Sequence, residues 1–278
     1  MARRSRPGEG AARPVVIGVA VAWLAVALAL PFASVFVAAF ADGVPAFFAA
    51  LSTPEVRHAA LLTCLAVLSA LGFNVVFGVV AAYAVERTRL PGRGVILTLL
   101  DLPIAVSPVV AGLMFLLLYG RQGWFGPLLE TMDVRIVFAL PGIMLATIFV
   151  TLPFVAKEVV ALLREIGPAE EEAARTLGAS KAQTFLHIVL PNIRWAVFYG
   201  SILTAARALG EFGAVSVLSG NLIGKTQTMP LYIEQAYVNY QTTAAFAAAL
   251  PLTLLAVLTI VAQKALARLG RRNGKESR

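Results

Sequence analysis

Cysteine, histidine and charge are all scarce in this chain, and each scarcity rules something out. The one cysteine, Cys64, lies inside an apolar run, so an intrachain disulfide scaffold is excluded. The two histidines, His58 and His187, are far apart in the chain, which removes the ordinary basis for a metal site. No Ser/His/Asp or Cys/His set can be assembled, so the chain is not expected to be an enzyme by itself. A phosphate loop is missing too. Gly220-Asn221-Leu222-Ile223-Gly224-Lys225-Thr226 approaches the nucleotide-binding pattern, but Ser219 stands where its first glycine is required. Charged residues are 14% of the 278, and the net charge of +8 is spread between apolar runs rather than gathered in a patch, so nucleic acid is not indicated.

What is abundant is apolar length. With 59% apolar residues and a mean hydropathy of +0.82, the chain has more apolar surface than a soluble fold could bury, and lipid must solvate much of it. Six runs are long enough to cross a bilayer core of about 30 Å, which takes roughly 20 helical residues: 15–40, 58–85, 94–119, 136–156, 196–219 and 243–262. The first follows Arg3, Arg4, Arg6 and Arg13 and ends near Ala39-Phe40-Ala41, which imitates a signal peptide. Its apolar stretch far exceeds a signal core of about 7–15 residues, so an uncleaved anchor is expected. Pro31, Pro103, Pro108, Pro141, Pro153 and Pro251 fall within the runs. Each removes a backbone donor, which implies either simple kinks or a solvated path that satisfies the freed carbonyls.

Basic residues in the connections set an orientation. One side collects Arg3, Arg4, Arg6, Arg13, Arg87, Arg89, Arg93, Lys157, Arg164, Arg175, Lys181, Arg194, Lys264, Arg268, Arg271, Arg272, Lys275 and Arg278. The other has only Arg57, Arg121, Arg135 and Lys225. The asymmetry predicts that both termini and the loop 157–195 are cytoplasmic. The expected organisation is a basic tail over 1–14, a transmembrane domain over 15–264 and a second basic tail over 265–278.

Within the loop, Gly167-Pro168 opens a short helix whose first turn carries Glu170, Glu171 and Glu172, where carboxylates complement the helix dipole. Ala173, Ala174 and Leu177 continue it, and Gly178 supplies a sharp turn. A second amphipathic helix with Phe185, Ile188 and Val189 is expected to end at Pro191. Helix, glycine turn and helix make a rigid knob with small residues that let another surface come close. A connecting loop packed on its own helices remains the open alternative.

The spacing Glu172-Ala173-Ala174, three residues, Gly178, nine residues, Ile188-Val189-Leu190-Pro191 resembles the EAA signature of binding-protein-dependent ABC permeases. Four elements at fixed spacing, before the penultimate span, are far more specific than a lone short motif. Further stretches are similar to the CysW-type subunit of sulfate/thiosulfate permeases: Asp101-Leu102-Pro103 through Ser107-Pro108-Val109-Val110-Ala111-Gly112-Leu113, Gly123 to Pro127, Ala146 to Phe154, and Arg207-Ala208-Leu209-Gly210-Glu211-Phe212-Gly213 to Val217. Molybdate permeases share the Gly-Glu-Phe-Gly and Gly-Lys-Thr-Gln-Thr segments, which keeps molybdate or tungstate as the alternative substrate. A stand-alone secondary anion carrier is the alternative mechanism.

The resemblance implies an all-α, six-span permease with a cytoplasmic coupling helix, the type I importer fold, in the bacterial inner membrane. It implies that Glu172, Ala173, Ala174, Gly178, Ile188, Leu190 and Pro191 couple the chain to a separate ATPase subunit. No cofactor is expected on this chain, with ATP and magnesium on that ATPase. A related second permease of the CysT type, a periplasmic sulfate-binding protein and membrane lipid are the other expected partners. Ser107, Arg207, Glu211, Asn221 and Lys225 are the candidates for the substrate pathway; a structural salt bridge that locks the fifth span, for Arg207 and Glu211, and an ordinary polar turn, for Asn221 and Lys225, remain the open alternatives. Counted from Trp195 at about 1.5 Å per residue, Arg207 is expected roughly 18 Å into its span, with Glu211 one turn further on the same face. Asn221, Lys225, Thr226 and Thr228 are expected on an outward loop open to an anion or a partner.

Overall fold

The computed structural model describes residues 9–88 and 91–276 and contains helices joined by short turns, with no strand among the described residues. In chain order the helices are α1 (Glu9–Ala39), α2 (Val44–Leu51), α3 (Pro54–Arg87), α4 (Arg93–Ala105), α5 (Pro108–Tyr119), α6 (Gly126–Thr131), α7 (Leu140–Thr151), α8 (Pro153–Ile166), α9 (Ala169–Thr176), α10 (Lys181–Thr184), α11 (Leu190–Leu209), α12 (Gly213–Ser219), α13 (Met229–Val238) and α14 (Thr242–Glu276). A π-helical turn, Phe185–Val189, joins α10 to α11.

Five helical stretches are long and apolar enough to cross a bilayer, and a sixth crossing is made by α4 and α5 together. Three of the expected crossings differ from the sequence reading. The run 94–119 is two helices bent by 109° at Val106-Ser107, because Pro108 disfavours helical backbone at the residue before it and starts a new helix. The fourth crossing extends inward to Ile166, with Pro153 at the start of α8. The fifth begins at Lys181 and stops at Leu209, so 210–219 holds a break and the short α12.

Pro191 does not end its helix. The π-helical turn lets the Leu190 N–H reach back five residues to the Phe185 carbonyl, and the widened turn accommodates a proline ring that would crowd the carbonyl four residues before it. Pro31, Pro103 and Pro251 also lie inside continuous helices, whereas Pro108, Pro141 and Pro153 open new ones.

Helix α3 runs through the middle of the bundle against α7, α8 and α11. Toward the predicted cytoplasmic side Val79 and Ala82 pack with Val159, Leu163, Val189 and Ile193. Toward the other side Ala66 packs with Ile143, Ala146, Val215 and Leu218. Among lipid-like surroundings hydrocarbon burial alone cannot hold helices together, so close packing and hydrogen bonds must. Asn74 supplies one such bond set, its amide donating to Thr151 Oγ1 at 2.8 Å and to the Ile148 carbonyl at 3.2 Å. Helix α1 packs on α14 near Ala39, Ala247 and Leu250, while Val19, Trp23, Leu28 and Leu30 are exposed.

Two glycines set the spacing of α8. A Cβ on Gly78 of α3 would lie 2.9 Å from the Ala156 nitrogen, and one on Gly200 of α11 would lie 2.7 Å from the Val155 Cα. The obstruction is backbone in both cases, so neither can be relieved by a rotamer change. Gly200→Ala should therefore destabilise the bundle by about 1–3 kcal/mol through overpacking. Gly72→Ala, where nothing lies within 4 Å, should not destabilise it. Thermal unfolding of the purified chain in detergent distinguishes them, and equal midpoints for the two variants would refute the packing assignment.

Candidate functional site

Two places gather the polar residues that the apolar frame otherwise lacks. The first is the knob between α8 and α11. Gly167, at φ +67°, turns the chain out of α8, and α9 follows with Glu170, Glu171 and Glu172 in its first turn. Pro168 occupies the N-cap position rather than the first turn. At the far end the Gly178 N–H donates to the Arg175 carbonyl at 3.0 Å and the Ala179 N–H to the Ala174 carbonyl at 3.0 Å, the paired bonds of a left-handed helix stop, with Gly178 at φ +89°. Ser180 then caps α10, its hydroxyl accepting from the Gln183 N–H while Gln183 Oε1 accepts from the Ser180 N–H.

The seven motif residues are not equivalent in space. Glu172 and Ala173 are exposed, Ala174 is half-buried, and Gly178 and Ile188 line a groove of about 410 Å³ with Leu177, Gln183 and His187. Leu190 and Pro191 lie at the root of the knob, on the outer surface of α11. The sequence reading treated Leu177 as part of a helix face. It is instead an 89% exposed apolar side chain at the tip, a position that favours contact with another surface.

The anchor of the knob was not legible as such. Arg87 is the last residue of α3; its side chain is only 7% exposed, and its Nε donates to Glu171 Oε1 at 2.5 Å. One terminal nitrogen donates to the carbonyls of Leu163 at 2.9 Å and Gly167 at 2.7 Å. A guanidinium that is always charged thus meets a carboxylate and the negative end of α8 together. Asn192 adds a second tie, its amide donating to Glu170 Oε2 at 2.6 Å. The carboxylate that faces inward is Glu171, beside the motif's Glu172. The inner face of the knob packs on its own helices, while Glu172, Ala173 and Leu177 on its outer face are exposed.

The second place is the break between α11 and α12. Arg207 and Glu211 form an ion pair at 2.6 Å, with side-chain exposures of 33% and 1%. Glu211 is not on the face of α11, as the count of turns implied, because α11 ends at Leu209 and Gly210 interrupts it. One Glu211 oxygen accepts from the Ala214 N–H at 2.9 Å in the first turn of α12, and the other meets Arg207. Ser107 belongs to the same neighbourhood. It holds the N-cap position of α5 at the bend, without a side-chain capping bond, and a Cβ on Gly213 would lie 2.9 Å from the Pro108 side chain. Two interrupted helices therefore meet back to back.

Asn221 and Lys225 are not brought to that pair; they lie beyond α12 on a turn with Gly220, Asn221 and Gly224 at positive φ. Lys225 is exposed, and Asn221 Oδ1 accepts from Gln227 Nε2 at 3.0 Å. Thr226 and Thr228 are buried rather than open, the Thr226 hydroxyl donating to the Ser219 carbonyl at 2.6 Å, so the loop is braced from within. Among the described residues no group of three His, Cys, Asp or Glu could hold a metal ion.

Residues 74–272 match the family model described as the binding-protein-dependent transport system inner membrane component. The chain is 51% identical over 252 residues to the sulfate transport system permease protein CysW of Synechocystis sp., covering 91% of each chain. It is 39% identical over 187 residues to the sulfate transport system permease protein CysT of Escherichia coli, covering 67% of this chain and 68% of that one. Among solved structures, a chain of a bacterial alginate ABC transporter in complex with an alginate-bound periplasmic protein superposes with a TM-score of 0.74 at 18% identity, covering 96% of this chain and 98% of the other.

Removing Arg87 leaves the buried Glu171 carboxylate with only the longer contact to Arg175 at 3.8 Å, a loss that costs up to about 3–5 kcal/mol. Arg87→Met should loosen α9 from the bundle more than Glu172→Gln does, since Glu172 is exposed. Limited proteolysis at Arg175 measures this. Equal cleavage rates in the two variants would show that Arg87 does not hold the knob.

Proposed function

The chain belongs to the family of binding-protein-dependent transport system inner membrane components, and from that membership we propose that it is a permease subunit of an ATP-driven importer of sulfate or thiosulfate. The observation that carries the substrate is the 51% identity to a sulfate permease over nine-tenths of both chains. The chain has no phosphate loop, so the energy must reach it mechanically from separate ATPase subunits that hold ATP and magnesium. The knob is shaped for such a transfer. Leu177 stands free at its tip, Gly178 and Ile188 line the adjoining groove, and Arg87 ties it rigidly to α3 and α8. Its EAA residues, Glu172, Ala173 and Ala174, are the proposed contact with the ATPase.

In the membrane the pathway runs past the meeting of the two interrupted helices. A divalent anion needs a positive group that does not hold it too tightly. Arg207, one-third exposed and paired with Glu211, meets both requirements. Glu211 is fixed by the start of α12, so it restrains the guanidinium rather than competing freely for the site. Ser107 borders this point from α5, while Asn221 and Lys225 form the outward loop that receives the anion from a periplasmic binding protein. A related CysT-type subunit is the proposed second half of the channel. It is supported by the 39% identity of this chain to a CysT permease over two thirds of both chains. The complex sits in the bacterial inner membrane with both termini cytoplasmic.

The functional test is uptake of radiolabelled sulfate by a bacterial strain in which this chain replaces the native CysW-type subunit. Sulfate uptake should be restored, competed by thiosulfate and not by molybdate, and Arg207→Gln should lower it at least tenfold while the subunit still inserts. Restored molybdate uptake alone would reassign the substrate, and an inserted, assembled chain that moves neither anion would refute the reading.

Orientation has its own test, in a Cys64→Ser background. An impermeant thiol reagent applied to intact cells should label a cysteine at the exposed Lys225 and spare one at Ala179 in the knob. Labelling at Ala179 from outside would invert the topology.

A further inference from the structure

Among the described residues, the ion pairs Arg207–Glu211 and Lys157–Asp101 both involve crossing helices, and the proposed transport route uses the first. The other joins Lys157 of α8 to Asp101 of α4, with Nζ 2.7 Å from Oδ1 and both side chains about half exposed, at 50% and 55%. Its depth can be read from the helices. Glu86, buried at the end of α3, binds Arg93 at 2.5 Å and Arg164 at 2.7 Å and marks the cytoplasmic end of the bundle. Lys157 is seven residues outward of Arg164 along α8 and Asp101 eight outward of Arg93 along α4, which are about 10 Å and about 12 Å and agree.

Helices α8 and α11 pass each other with Gly200 on Val155, so Arg207 is roughly 13 Å further outward than Lys157. The same bent crossing touches both pairs. Its inner arm carries Asp101, and its outer arm begins at Pro108, against Gly213 and next to the Glu211 turn. A half-exposed ion pair this far inside the bundle is not tolerated by hydrocarbon and must face water or protein. Unlike Glu211, which accepts from a backbone N–H, neither Asp101 nor Lys157 has another hydrogen-bond or ion-pair partner among the described residues. Glu158, about 100° round α8, is half-buried and makes no ion pair among the described residues.

We propose that Lys157 is a second anion station on the cytoplasmic side of the bend, with Asp101 as its resident counter-ion. This rests on the anion-permease reading. An anion leaving Arg207 takes the place of the Asp101 carboxylate beside the ammonium, and the return of Asp101 as α4 moves against α8 expels the anion inward. The pair is thus an exchangeable partner for the cargo, whereas the Arg207–Glu211 pair is fixed.

The test uses the assembled complex in inside-out vesicles with Cys64→Ser. Ala161→Cys places a thiol about one turn inward of Lys157 and leaves the pair intact. Sulfate should slow its labelling by an anionic methanethiosulfonate at least threefold, and this protection should vanish in Lys157→Gln and persist in Lys157→Arg. Sulfate uptake by intact cells carrying the same variants should fall at least tenfold in Lys157→Gln, recover in Lys157→Arg, and stay low in the exchange Asp101→Lys with Lys157→Asp. Labelling indifferent to sulfate, or wild-type uptake in the exchange, would reduce the pair to a structural tie and overturn the proposal. If Lys157→Gln fails to insert, the protection at Ala161→Cys, made with Lys157 in place, still decides. A wild-type complex that imports neither sulfate nor thiosulfate would refute the functional reading itself, a separate result.

Discussion

The hold of Arg87 on the end of the bundle that carries the knob is the interaction on which the proposed coupling surface depends. Arg87 closes α3, the helix at the centre of the packing, and its guanidinium joins Glu171 of α9 to the last carbonyls of α8. Because arginine stays charged, its burial is tolerable only with these partners in place together. The consequence is mechanical. A displacement imposed on α9 from outside passes to α3 and α8 with little slack, and those two helices carry the packing against α7 and α11. Glu86, one residue earlier, adds the ties to Arg93 and Arg164 and brings α4 into the same rigid end.

Rigidity there contrasts with interruption in the membrane. The bend at Val106-Ser107 and the break at Gly210 come from local chemistry, a proline that starts a helix and a glycine between α11 and α12. Glycine makes their contact possible. A Cβ on Gly112 would meet the Ala214 carbonyl at 2.8 Å, and one on Gly213 would meet Pro108. Backbone that leaves helical geometry inside a membrane must be satisfied by protein or by a wet cavity. Glu211 does so at one point by accepting from Ala214, which fixes a carboxylate and its arginine partner at the meeting of the breaks.

Much of this protein is written in its sequence at short range. Apolar runs fix the number of crossings because their length must match a bilayer, and the basic residues between them predict an orientation. The glycine stop after α9 and the acidic first turn of that helix are local chemistry, and the structure has both where the residues call for them. The EAA spacing pointed to the family because four elements at fixed intervals leave little room for coincidence.

Contacts between distant segments were decided only by tertiary structure. Arg87 looked like one more cytoplasmic charge, and nothing local distinguishes Glu171 from Glu172; packing of α9 against α3 chose which carboxylate is buried. Pro191 read as a helix end because proline lacks its N–H, yet a π-helical turn absorbed it within a continuous crossing. Glu211 was counted onto the face of α11 and instead caps α12, since a single glycine ended the helix before the count was complete. Thr226 and Thr228 read as open loop hydroxyls and are buried, because folding turned that loop onto its own backbone. Asp101 and Lys157 stand fifty-six positions apart in the chain, so their pairing belongs to the fold alone. Length, spacing and turn chemistry act between neighbours and are therefore visible in sequence; which side chains meet across helices depends on the relative placement of whole elements, which no local pattern records.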